Sequence, residues 1–304
     1  MKKISICIPV LNEGENILIA YNKIKEIFLN EIKEYTYEII FTDNHSTDDT
    51  EKIITELCSN DNNVKYIRFR KNLDYDKSIL EGYFHSTGDA AIVIDCDLQD
   101  PPFLFKKFIS YWEQGFDLVY GKVESRKESW IMNSLRKIYY NLMNQSSFFN
   151  YPKNAHDFRL IDKKIIVELK KNNLLFPYVR GMTFSLAKNP TGIPYVRNLR
   201  DKGVSKLGLY NTFTYAINAF LEETFLFTTI FRRISLVLAI SLIVFTLINF
   251  FKNFVIITIF QNLVIIFFIF LFSFLSIILE YITRIYFQIK KINVNIYEKK
   301  ININ

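Results

Sequence analysis

Ile92-Val93-Ile94-Asp95-Cys96-Asp97-Leu98-Gln99-Asp100-Pro101-Pro102 is the stretch that decides how this chain is read. An apolar run suited to a buried strand passes directly into a cluster of acids, and the Pro-Pro pair predicts the start of a helix. Period-two alternation would aim Asp95, Asp97 and Gln99 to one side. Hard oxygen ligands at that spacing suit Mg²⁺ or Mn²⁺ bridging a diphosphate, where the metal would neutralise charge building on a departing group. Taken alone, two acids placed this way could equally cap a helix or face solvent.

Outward from this stretch, β-rich apolar runs recur at Ile4 to Val10, Tyr37 to Thr42, Val64 to Phe69 and Ala90 to Asp95, with helical patterns between them. Such alternation predicts a mostly parallel sheet with helices on both faces. Ligands in such sheets bind beyond the carboxyl ends of the strands. Leu11-Asn12-Glu13, Asp43-Asn44 and Asp95-Cys96-Asp97 therefore become the segments to watch. No Gly-x-Gly-x-x-Gly or Walker loop follows the first strand, which removes the commonest dinucleotide and NTPase readings. Phosphates would have to be handled by metal and basic side chains.

The first 230 or so residues have ordinary globular composition, whereas the stretch after Arg233 is almost free of charge. Ile234 to Phe251 holds no charged residue and as a helix would measure ~27 Å, close to the ~30 Å of a hydrocarbon core. Phe254 to Leu279 is a second uncharged run, separated from the first only by Lys252 and Asn253. The expectation is an antiparallel membrane hairpin. Buried core helices of a water-soluble protein are the alternative. Arg232 and Arg233 precede the first span, and Arg284, Lys290 and Lys291 follow the second, which predicts both ends in the cytosol. Leu207 to Phe231 reads either as an interfacial segment or as an ordinary core helix.

Among 304 residues the net charge is +7 and much of it flanks the apolar tail, favouring an anionic membrane surface over nucleic acid. The three cysteines, Cys7, Cys58 and Cys96, have no metal-type spacing and form no even framework, which suits a reducing cytosol. The basic start is followed by an apolar run too short for a targeting segment and reads as the first strand.

The eleven-residue stretch resembles the signature of family 2 glycosyltransferases, in the polyprenyl-phosphate branch that includes dolichol-phosphate mannose synthase. Ile8-Pro9-Val10-Leu11-Asn12-Glu13 resembles the opening nucleotide loop of that family, and Phe41-Thr42-Asp43-Asn44-His45-Ser46-Thr47-Asp48 its second loop. The resemblance implies that Pro9, Leu11, Glu13, Asp43 and Asp95 contact a nucleotide-sugar, and that Asp95, Asp97 and Gln99 hold the metal. Asn12, Ser46 and Thr47 also suit helix N-caps. Ala155-His156-Asp157-Phe158-Arg159-Leu160 is similar to a further family motif, with His156 where glycine is usual. By that match Asp97, Asp157 and Arg159 are the candidate catalytic residues. Asp157 is preferred as a positioning group, because a phosphate acceptor with a second pKa near ~6 needs no strong base. A simple Asp157–Arg159 salt bridge is the alternative.

An acceptor phosphate needs fixed cations. Arg126, Arg136, Arg180 and Arg200 are candidates, with Ser205 and Lys206 in Arg200-Asp201-Lys202-Gly203-Val204-Ser205-Lys206, which resembles the family's Arg-x-x-Gly-x-Ser-Lys motif. Lys71-Asn72-Leu73-Asp74-Tyr75-Asp76-Lys77 departs from the pattern, standing where relatives commonly show Asn-x-Gly-Lys.

The resemblance implies an α/β chain of GT-A type, Rossmann-like, with a C-terminal two-helix transmembrane hairpin. The boundaries are a cytoplasmic catalytic domain over 1–205, amphipathic interfacial helices over 206–232, two transmembrane helices over 233–284 and a basic tail over 285–304. The expected reaction is inverting transfer from a UDP- or GDP-sugar to polyprenyl phosphate, undecaprenyl phosphate if the source is bacterial, with Mg²⁺ or Mn²⁺. The expected partners are donor, acceptor and bilayer without nucleic acid, and a homo-oligomer is compatible with this reading. A family 2 transferase acting on a glycan or lipid headgroup, and a silent nucleotide-sugar-binding scaffold, are the competing readings.

Overall fold

The structure is a computed structural model that describes residues 1–124, 134, 141–144, 152, 154–171, 178–198, isolated positions between 217 and 244, 257–290 and 296–303. The chain divides into two compact units. One comprises Met1–Tyr140, Phe149–Asn211 and Val294–Asn304, and the other Asn141–Phe148 and Thr212–Asn293.

The first unit is built on an eight-stranded sheet: β1 (Lys3–Val10), β2 (Thr36–Asp43), β3 (Val64–Phe69), β4 (Ala90–Val93), β5 (Leu118–Val123), β6 (Ala155–Asp162), β7 (Pro190–Tyr195) and β8 (Tyr297–Ile301). Their order across the sheet is β7-β5-β6-β4-β1-β2-β3-β8. Between them lie α1 (Gly14–Asn30), α2 (Thr50–Asn60), α3 (Tyr75–His85), α4 (Leu104–Glu113), α5 (Lys163–Lys171) and α6 (Val179–Leu186).

Strand β1 is almost wholly buried because both faces are covered, as its near-continuous apolar run demands. Ile4, Ile6, Ile8 and Val10 point into one core with Ile17, Ile24 and Phe28 of α1, Ile54 of α2, and Phe105 and Phe108 of α4. The alternate residue Cys7 points the other way, against α3. There Gly82 lets the helix approach, since a Cβ at that position would lie 3.0 Å from the Cys7 Cβ.

The four predicted strands are present, and β3, β2, β1 and β4 are parallel as expected. Beyond them the expectation of a mostly parallel sheet gives way to a mixed one. Strand β6 runs antiparallel to β4 and to β5, and β8 antiparallel to β3. Strand–helix alternation fixes direction only where a crossover helix joins neighbours, and antiparallel neighbours need none. Moving from β1 to β2 and β3 in one direction and to β4 in the other creates a switch point between β1 and β4, where the carboxyl ends open a crevice.

The last residues, expected as a basic tail, supply the edge strand of this sheet, with Arg68 opposite Lys299 and Ile67 opposite Lys300.

In the second unit, α7 (Ile257–Lys290) is a single helix of 34 residues. Its stretch Ile266–Thr283 has a mean hydropathy of 2.3 and is unburied, so length and composition allow it to cross a membrane. The helix continues past Leu279, where the second uncharged run ends. The first expected span, 234–251, falls almost entirely outside the described residues, as do most of the interfacial segment and the 199–216 stretch.

Candidate active site at the strand ends

The β1 and β2 loops are tied to each other. Asn12, at φ 52°, donates its backbone N–H to Ser46 Oγ at 2.8 Å and accepts the Thr47 N–H on Oδ1 at 2.7 Å. Glu13 N–H bonds Thr50 Oγ1 and Gly14 N–H bonds Asp48, so the loop also caps across to the start of α2. Pro9 is buried, whereas Leu11 and Glu13 are half-buried at the strand end. Asp43 is fully buried. It accepts from Ser46 N–H and Oγ on one oxygen, and from Tyr66 OH and Arg68 on the other. Its visible work is to hold the second loop, so a nucleotide contact would require one of these donors to yield.

Strands β4 and β6 join the two acidic motifs. Their antiparallel register pairs Val93 with Arg159, and continued by two residues it sets Asp95 opposite Asp157. Asp157 lies in a salt-bridge cluster. Arg159 donates to Oδ1, and Arg180 donates to Oδ2 at 2.5 Å and to Oδ1 at 3.2 Å. Arg159 is 1% exposed and is also fixed by Thr183 Oγ1. Burial opposes ionisation of Asp157, but Arg180 and Arg159 outweigh it and hold the carboxyl well below its usual range. Saturated and strongly ionised, Asp157 suits positioning better than proton removal.

Asp95 accepts a hydrogen bond from Tyr75 OH at 2.6 Å and an ion pair from Arg197 at 3.3 Å, with a quarter of its side chain exposed. Enclosure and the charge of Asp100 push its pKa up to about 6, against His156 and Tyr75. Burial also works against Asp100, but His156 at 3.3 Å, Arg197 at 3.3 Å and the Tyr195 hydroxyl keep it below the ordinary range. Gln99 is tied to Asn198 in both directions, N–H to O at 2.9 Å and Nε2 to O at 3.2 Å. The loop does not stay extended. Leu98, at φ 49°, turns it, with Leu98 N–H on Asp95 O. Cys96 goes into the core while Asp95, Asp97 and Gln99 remain half-buried.

Several of these residues had no role in the sequence reading. Tyr75 and Asp76 open α3, and Asp76 accepts the Val179 N–H at 3.1 Å, beside Arg180. Burial and then the Asp157 charge push Asp76 up to about 7, against Arg180. The departure from Asn-x-Gly-Lys was the available signal. Asp74 has φ 74° and ψ 162°, a backbone region that only glycine enters freely. Arg197 carried no motif signal. Of the expected acceptor-phosphate residues, Arg180 joins the cluster. Arg126, Arg136, Arg200, Ser205 and Lys206 lie outside the described residues.

Residues 5–170 match the sequence profile of Glycosyl transferase family 2. The chain belongs to that family. Among curated family 2 relatives, it is 34% identical over 206 residues to the uncharacterized glycosyltransferase YkcC of Bacillus subtilis (strain 168), spanning 67% of this chain and 63% of that one. It is 32% identical over 219 residues to the bactoprenol glucosyl transferase of Shigella phage SfX, spanning 71% and 70%. The chain thus spans less than two thirds of the first of these. Among solved structures the chain is similar to glucosyl-3-phosphoglycerate synthase from Mycobacterium tuberculosis in complex with Mn²⁺, UDP and glucosyl-3-phosphoglycerate. It is 17% identical, with a TM-score of 0.45 over 72% of this chain and 79% of that one.

A divalent metal fits the family 2 residues present. Among the described residues no three His, Cys, Asp or Glu side chains converge into a ready cage. Mg²⁺-type ions, however, use one or two carboxylates plus water and substrate phosphates. Burial first, and then the neighbouring charges of Asp100 and Asp97, raise Asp95, and a cation beside Asp95 and Asp97 would favour the ionised carboxylate.

Proposed function

We propose that this chain transfers a sugar from a nucleotide-sugar to a polyprenyl phosphate, with inversion, at the cytoplasmic face of a membrane. The observation that carries the reading is the β4–β6 register, which sets the Asp95 loop opposite the Asp157–Arg159–Arg180 cluster and so brings two family motifs to one crevice. The bactoprenol glucosyl transferase relatives support the acceptor class.

In this reading the β1 and β2 loops, with Pro9, Leu11, Glu13 and Asp43, receive the nucleotide. Asp95, Asp97 and Gln99 would hold a Mg²⁺ or Mn²⁺ ion, which when bound offsets charge on the leaving nucleoside diphosphate. Asp157 orients Arg180 toward the acceptor phosphate while Arg159 anchors Asp157 from the core. The acceptor phosphate oxygen attacks the anomeric carbon, the bond to the diphosphate breaks, and the configuration inverts. Arg126, Arg136, Arg200, Ser205 and Lys206 complete the acceptor side in the proposal.

The membrane hairpin belongs to the same proposal, and chain parity supports it. Strand β8 lies downstream of α7 and pairs with β3 in the catalytic sheet. If α7 crosses a bilayer, the chain must cross an even number of times to return. The uncharged run 234–251 is the candidate for the second crossing.

The test is to incubate the purified full chain with polyprenyl phosphate, Mg²⁺ or Mn²⁺ and a panel of radiolabelled nucleotide-sugars. A glycolipid whose formation stops on chelation is the expected product. Sugar release to water, or transfer only to a glycan, would overturn the reading.

A further inference from the structure

We infer that the C-terminal strand β8 is a working part of the nucleotide side of the site, with Glu298 and Arg68 as its positioning residues. This rests on the reading that the Asp43 loop receives the nucleotide.

Asp43 has no exposed surface, and two of its four donors come from β3, Tyr66 OH at 2.6 Å and Arg68 at 2.8 Å. Arg68 is held at three points: one terminal nitrogen on Asp43, the other on Ser46 O at 3.0 Å, and Nε on Glu298 Oε2 at 3.1 Å. Ser46 in turn donates its hydroxyl to Asp43 and receives the Asn12 N–H. A continuous path therefore runs from Glu298 on β8, through Arg68 and the β2 loop, to the β1 loop. The guanidinium is a rigid planar fork, so fixing its Nε edge fixes the direction of its other two nitrogens. Without Glu298 that edge faces only Glu51, at 3.4 Å.

Strand β8 is firmly seated. Lys299 pairs with Glu51 at 3.1 Å, Tyr297 OH bonds Glu81 at 2.5 Å, and Asn302 Nδ2 bonds the carbonyls of Cys58 and Val64. It also covers β3, which would otherwise end the sheet with unpaired backbone groups. The stretch of chain that follows α7 is thus the stretch that braces the nucleotide loops.

The experiment uses the full chain in detergent, with UDP and GDP as probes in calorimetric titration and steady-state kinetics alongside. Glu298→Ala should weaken the nucleoside diphosphate that the wild type binds by about three- to fivefold, as expected for a half-exposed ion pair. The effect should fall on donor KM rather than on kcat or acceptor KM, and Glu298→Asp should restore part of it. Arg68→Met should lose more, about tenfold or beyond, since it strips a donor from buried Asp43. If that variant does not fold, the Glu298 pair decides. Unchanged nucleotide affinity in Glu298→Ala, whether or not the melting temperature falls, overturns the inference and leaves the proposed reaction standing. Failure of the wild type to bind either nucleotide overturns the nucleotide reading, and this inference with it.

Discussion

Replacing Asp157 by Asn should be costly for stability as well as for turnover, and the structure sets the size of the effect. Asp157 is 7% exposed and accepts from two guanidiniums, one of them, Arg159, 1% exposed. Asn keeps the shape but offers one acceptor oxygen and turns an amide N–H₂ toward a cation, leaving buried positive charge unpaired. Breaking a buried pair in this way costs about 3–5 kcal/mol. At about 2–4 °C per kcal/mol for a domain of this size, the melting temperature should fall by roughly 6–20 °C. The assay is thermal unfolding of the full chain in detergent at a fixed scan rate, followed by intrinsic fluorescence. Because the folded-state pKa of Asp157 is depressed, its stabilising effect is present above the unfolded value of ~3.9 and is lost only as pH falls below it. The titration of Asp157 itself therefore adds no pH dependence above about pH 5, and the deficit of Asp157→Asn should shrink between about pH 5 and 7, because losing its charge lets Asp76 ionise more easily. Adding Arg180→Gln should recover part of the loss, because the pair is coupled. A loss below ~1 kcal/mol, or a deficit that grows as pH rises across that range, would refute the buried-cluster argument.

Asp76 works in the opposite sense. Its folded pKa is raised to about 7, so its stability contribution is full below ~3.9 and is lost as pH climbs toward 7, by up to ~1.4 kcal/mol per pH unit. Asp76→Asn should flatten the fall in melting temperature between pH 5 and 7.5, and an unchanged slope would show that Asp76 ionises freely. Asp97→Asn should abolish metal-dependent turnover while leaving membrane insertion intact, and full activity would remove the metal assignment. Asp74→Gly should raise stability by about 1 kcal/mol or somewhat more by relieving the φ 74°, ψ 162° backbone. A neutral or destabilising result would mean that the Asp74 side chain offsets its own strain.

The parts of this fold legible in sequence are those whose pattern is local. Strands β1 and β4 are near-continuous apolar runs because helices cover both faces, β2 and β3 are apolar runs broken by Glu38, Lys65 and Arg68, and these runs alone locate the four strands to within a residue or two. Strand β8 was illegible for the converse reason. Tyr297–Ile301 is mostly charged and polar, and it is a strand by pairing with β3, with Glu298 on Arg68 and Lys299 on Glu51, all far away in sequence. Asp157 and Arg159 stand together in a motif, and the salt-bridge alternative is what the geometry shows, while the positioning role belongs to the proposed reaction. Tyr75, Asp76 and Arg197 act through partners on other elements, Asp95, Val179 and Asp100, so no spacing along the chain could announce them.

The distribution of charge in the crevice gives the proposed chemistry a direction. Five carboxylates, Asp76, Asp95, Asp97, Asp100 and Asp157, share the crevice with three guanidiniums, Arg159, Arg180 and Arg197. Two of those guanidiniums are committed to Asp157, and Arg197 is divided between Asp95 and Asp100 without a hydrogen bond from its Nε. Acidic groups therefore collect around Asp95, Asp97 and Asp100, at the switch point beside the β1 and β2 loops, and the guanidiniums of Arg159 and Arg180 on the β6–α6 side. In the proposed reaction a doubly charged cation complements the first region, and the acceptor phosphate meets the second through Arg180, the more exposed of the two guanidiniums on Asp157. Helix α3 reaches both, with Tyr75 on Asp95 and the next residue, Asp76, beside Arg180. Consecutive positions on a helix point about 100° apart, which lets Tyr75 and Asp76 serve the two regions.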